Sequence, residues 1–124
     1  MDIMQEAARQ LESYGISADG TALAFAVGRV EEKIRNFCNI TEVPEGLFHT
    51  AVNMVCGEYL QQMHLLGQLN PEVFPAGAAV KSISEGDVSI SFMDNASAED
   101  KLAVFIEKLK SSESDLLAYR RLAW

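Results

Sequence analysis

The sequence predicts a mainly α protein: a helical bundle of four to five helices with one β-hairpin near residues 80–92. Three observations predict it. Leu23, Val27, Val30, Ile34 and Phe37 recur at intervals of four, three, four and three, the spacing of one helix face. A second apolar face follows Pro44 and is made of Leu47, Phe48, Ala51, Val52, Val55, Tyr59 and Met63. From Asp87 to Phe92 the pattern becomes strict alternation: Val88, Ile90 and Phe92 point one way, Ser89 and Ser91 the other. That is the period of a half-buried strand.

Each element has its own signals. The first helix is expected from about Asp2 to Tyr14, with Ile3, Ala7 and Leu11 on its face, widened by Met4 and Ala8. Gly15 fits the position just past its end, followed by the apolar Ile16. The second helix is expected from about Thr21 to Asn39, its stripe opposed by Arg29, Glu32, Lys33 and Arg35. A third should start at Pro44, since proline suits the first helical position, and run to a stop at Gly67, with Leu65 and Leu66 extending its apolar face. Nearly apolar apart from Glu58 and its glutamines, it should be the central helix.

Residues 68–79 contain Pro71, Pro75 and Gly77 and read as a loop. The hairpin follows, with Gly86 at its centre, where a tight turn needs a positive φ. Ser97, with Asp100 three residues on, should cap a fourth helix faced by Leu102, Phe105, Ile106 and Leu109. Ser111–Ser114 reads as a break, and Ser112 or Asp115 could cap a short last helix through Leu122.

Composition narrows the function classes. The 124 residues fit a single domain, and 48% hydrophobic content supports one real core. The longest apolar run, around Leu23–Val27, is too short to span a bilayer, and the start lacks the marks of a signal peptide, so a cytoplasmic protein is the default. A formal net charge of −8 argues against tight binding to DNA phosphates.

The search for chemistry turns up little. Cys38 and Cys56 stand apart with no Cys-x-x-Cys or Cys/His cluster, which excludes a structural zinc site and leaves them as buried free thiols. The glycines are isolated and build no phosphate-cradling loop. Glu31-Glu32 and Glu99-Asp100 are adjacent pairs whose side chains diverge on a helix, so they read as solvated faces. His49 and His64 have no orienting third group for a Cys-His nucleophile. No catalytic residue, cofactor or metal is expected.

The order of several segments is more telling. Ile-Thr-Glu-Val-Pro-Glu-Gly-Leu opens the long helix, Val-Lys-Ser-Ile-Ser-Glu-Gly-Asp-Val-Ser-Ile-Ser-Phe forms the hairpin, and Tyr-Arg-Arg-Leu-Ala-Trp follows at 119–124. In this order and spacing the chain, from about Leu23 to Trp124, resembles the small head–tail connector (adaptor) proteins of tailed bacteriophages and prophages. The resemblance implies a mainly helical subunit that forms a ring, usually of about a dozen copies. The ring would sit beneath the portal protein and join the DNA-filled head to the tail. The partners implied are the chain itself, the portal, a tail-completion protein, and DNA passing through without specific binding. The place implied is the host cytoplasm during assembly and then the virion. Nothing before Leu23 takes part in the resemblance.

Within this frame the partner-binding candidates are Ile90 and Phe92 on the hairpin, and Leu116, Tyr119, Arg120, Arg121, Leu122 and Trp124 in a C-terminal docking segment at 116–124. Unpaired strand edges need cover, and Trp, Tyr and Arg are enriched at binding hot spots. Two alternatives stand for the C-terminal segment: it docks onto the portal, or it folds back on its own bundle. Two other functions also remain open, a small helical interaction or regulatory module and a neighbouring tail-completion protein.

Overall fold

The computed structural model of the chain describes residues 2–69, 98–111 and 113–120. These residues are mainly helical. In order they form α1 (Ile3–Ser13), α2 (Gly20–Cys38), a 3₁₀ turn (Glu45–Leu47) that runs straight into α3 (Phe48–Leu65), α4 (Ala98–Lys110) and the short α5 (Glu113–Leu117). The hairpin expected at 80–92, with Ile90 and Phe92, lies outside the described residues, as do nearly all of the expected 68–79 loop and Ser97.

The helix ends follow from local chemistry. Asp2 caps α1 by accepting from Gln5 N at 3.1 Å, and Asp19 caps α2 by accepting from Ala22 N at 2.9 Å; each satisfies an amide that the helix leaves open. α1 ends in a Schellman motif. Gly15 takes φ 85°, its amide bonds to Glu12 O at 2.9 Å, and the Ile16 amide reaches back to Leu11 O at 3.0 Å. Gly67, φ 72°, ends α3 in the same way, with Gln68 N on Met63 O at 2.8 Å. Asn39, φ 56°, supplies the left-handed residue after α2.

The third helix differs from expectation at both ends. Pro44 does not open α3. It stays extended at φ −65°, ψ 148° as the residue before the 3₁₀ turn, and the turn brings the chain into helical register. Leu65 and Leu66 do not extend the buried face. They fall beyond the point where α3 is covered, and both are exposed.

α3 is the central helix, with α1, α2 and α4 packed around it, while α5 packs on α2. The core joins Ile3, Ala7 and Leu11 of α1 to Leu23, Val30 and Ile34 of α2, the buried stretch Ala51–Leu60 of α3, and Leu102, Phe105, Ile106 and Leu109 of α4. Along α2, Ala26 and Cys38 are buried while Val27 and Phe37 are only partly so. The face keeps Leu23, Val30 and Ile34 at its centre, and Ala26 and Cys38 take the buried places beside them that Val27 and Phe37 were expected to fill.

Gly57 shows how closely α3 and α4 meet. A Cβ there would stand 2.7 Å from Lys110 Cγ, 3.0 Å from Leu109 Cβ and 3.3 Å from Ile106 O, so any larger residue would force α4 to shift. Polar contacts tie the same elements together. Gln10 donates to Tyr14 Oη at 2.8 Å and to Asn53 Oδ1 at 2.9 Å. Glu58 on α3 receives Arg29 of α2 at 3.0 Å and Lys110 of α4 at 3.6 Å.

Candidate interaction surfaces

The C-terminal segment is the first candidate, and its described part packs on its own chain. Leu116 is buried in the core, and its carbonyl accepts from Cys38 Sγ at 3.4 Å. Arg120 lies over the Phe37 ring, 5.1 Å from its centroid, a cation–π contact. The Tyr119 hydroxyl fills the space that a side chain at Gly46 would need. Asp115 accepts from Thr50 Oγ1 at 3.3 Å. So Leu116, Tyr119 and Arg120, read from the sequence as one partner-binding face, are brought together, but against α2 and the turn before α3.

The expected helix through Leu122 ends at Leu117. Tyr119 N on Leu116 O at 3.0 Å and Arg120 N on Leu117 O at 3.2 Å close it in tight turns, which aim Arg120 at Phe37 instead of continuing the helix. Leu117 points away and is 57% exposed, and Tyr119 is 38% exposed. Arg121, Leu122 and Trp124 lie outside the described residues.

The second candidate was not singled out by sequence. A cleft of about 500 Å³ opens between the start of α2 and the end of α3, lined by Ala22, Phe25, Arg29, Tyr59, Met63 and Leu66, with Asp19 at its rim. Tyr59 helps to build it: its ring is buried while its hydroxyl accepts from Asp19 N at 2.8 Å, which fixes the entry of α2. Phe25 is 65% exposed, Leu66 67% and Leu65 72%. The sequence did carry a signal, since Phe25 is a large aromatic out of phase with Leu23, Val30 and Ile34. It was hidden inside the apolar run Leu23–Val27, where periodicity cannot rank neighbours.

The groups that could do chemistry are placed differently. Cys38 and Cys56 are buried and free. Burial pushes the Cys56 thiol up to about 12. It also raises Cys38, with nearby Arg120 acting the other way. A thiolate nucleophile needs the opposite shift. His49 is exposed beside Phe48, ring centroids 5.2 Å apart, and His64 pairs with Glu99 at the start of α4. Among the described residues no three His, Cys, Asp or Glu side chains gather to hold a metal ion, and no described helix is long and apolar enough to cross a membrane. No family model, curated protein or solved structure matches the chain.

Proposed function

We propose that this chain is a structural, non-enzymatic subunit of a phage or prophage head–tail connector. It forms a ring below the portal and joins the DNA-filled head to the tail. The observation that carries the reading is the ordered set of segments at 40–47, 80–92 and 119–124. The mainly helical body supports it. Ile40–Leu47 leads through the 3₁₀ turn into the central helix, and Tyr119 and Arg120 anchor the last segment on α2 and the turn before α3. In this reading Arg121, Leu122 and Trp124 meet the portal, and Ile90 and Phe92 of an 80–92 hairpin face a neighbouring subunit. The −8 net charge lets duplex DNA slide past without sticking, because an acidic wall repels phosphates. Assembly takes place in the host cytoplasm, and the finished ring stays at the head–tail junction of the virion.

A second reading, a small helical interaction module, is favoured by the cleft, where Phe25, Met63 and Leu66 offer apolar contacts among the polar Asp19, Arg29, Gln62 and Gln68. The two separate in the particle. Removing the coding sequence from the phage or prophage should leave DNA-filled heads and free tails that do not join, as seen by electron microscopy. Normal tailed particles without this chain would overturn the connector reading.

A further inference from the structure

The large apolar side chains left uncovered among the described residues fall into two groups: Phe25 and Leu66 at the cleft with Leu65 next to them at the end of α3, and Leu117 and Tyr119 beside α5. The groups lie at opposite ends of the α2–α3 pair. α5 packs on α2 near Cys38, and Phe25 is about 20 Å from Cys38 along α2 at the helical rise per residue. Neither group can therefore cover the other within one chain.

We propose that the cleft of one copy receives Leu117 and Tyr119 of a second copy, head to tail. The charges fit. Asp19 is exposed at the rim of the cleft and Arg120 is exposed beside Tyr119. Asp19 thus meets Arg120 across the contact, while Arg29 and Asp115 stay on their own partners Glu58 and Thr50. Such opposition lets a chain of net charge −8 approach its own copy in one register.

The contact uses two different patches, so each added subunit still offers one open cleft and one open Leu117 end. A contact of this kind propagates, and it closes into a ring when the rotation between neighbours permits. A cleft that paired with itself would stop at two copies. The inference rests on the ring reading above and assigns the surfaces that build the ring.

The test uses Phe25→Asp and Leu117→Asp in the full chain. Both side chains are exposed, so circular dichroism should show native folding; if either variant unfolds, Phe25→Ser or Leu117→Ser replaces it. Mass is read by sedimentation velocity, or on portal rings if the wild-type chain assembles only there. The wild type should form large oligomers and each variant alone should stay monomeric. The equimolar mixture should form a dimer and nothing larger, because only one intact cleft and one intact Leu117 end can meet. Assembly undisturbed in both variants would overturn the contact and leave the ring reading standing. So would loss in Phe25→Asp with full assembly in Leu117→Asp, the mark of a cleft that pairs with itself. A wild-type chain monomeric both alone and with the portal would overturn the ring reading itself.

Discussion

Tyr14 sets its ring edge-on to Phe105 of α4, centroids 5.1 Å apart, and accepts from Gln10. Burial, with Cys56 nearby, pushes its phenol from 10.0 up to about 12, and burial pushes Cys56 from 9.0 to about 12. Both groups are neutral in the fold and ionise more readily in the unfolded chain. Their contribution to stability is therefore complete below pH 9 and is lost as pH rises toward 12. Urea midpoints should hold to pH 9 and fall above it. Tyr14→Phe should flatten the phenol's share of that fall and cost about 1 kcal/mol at neutral pH through the lost hydrogen bond; an unchanged alkaline slope would contradict the assignment. Val55, fully buried on α3, should cost about 1–3 kcal/mol on replacement by alanine, read from chemical denaturation. Buried residues such as Val55, Ile34 and Phe105 were legible because they repeat with the helical period. Leu116 admits two readings in the sequence, a partner contact or the chain's own core, and lies in the core, since a sequence cannot distinguish an apolar face turned to a partner from one turned inward.

At the scale of elements, one substitution should have opposite signs at two glycines. Gly57→Ala pushes a methyl against Leu109 and the α4 backbone; it should destabilise the fold by about 1–3 kcal/mol despite alanine's better helix propensity. Gly28→Ala, exposed in mid-α2 with open space around it, should stabilise by about 0.5–1 kcal/mol. Thermal midpoints of the two variants check both, and equal shifts would mean that α3 and α4 do not meet at Gly57. Deleting Arg121–Trp124 leaves Leu116 in the core and Arg120 on Phe37. Native circular dichroism with loss of portal binding is the expected outcome, and retained binding would remove that segment from the portal contact. The helices themselves were legible from glycines and periodicity: Gly15 and Gly67 end α1 and α3 where the sequence put them, while the capping roles of Asp2 and Asp19 were not read. The early end of α5 was not legible, because it comes with tertiary contacts of Tyr119 and Arg120, to Gly46 and Phe37, that leave no pattern in the local sequence.

For the molecule as a whole, the mainly α class and the central place of α3 could be read from one apolar helix flanked by amphipathic ones. The α2–α3 cleft could not, because it is made by residues of two helices that come together only in the packed fold, which leaves no period in the chain. The uncovered apolar side chains at Phe25 and Leu117 motivate the proposed contact between copies, which has to overcome the repulsion between chains of net charge −8. The most direct measurement of this account is the mass of the complex formed when the purified chain is added to portal rings. The account predicts a saturable complex with a fixed number of copies per portal, visible as an added ring by electron microscopy. A chain that stays monomeric and leaves the mass of the portal unchanged would contradict it.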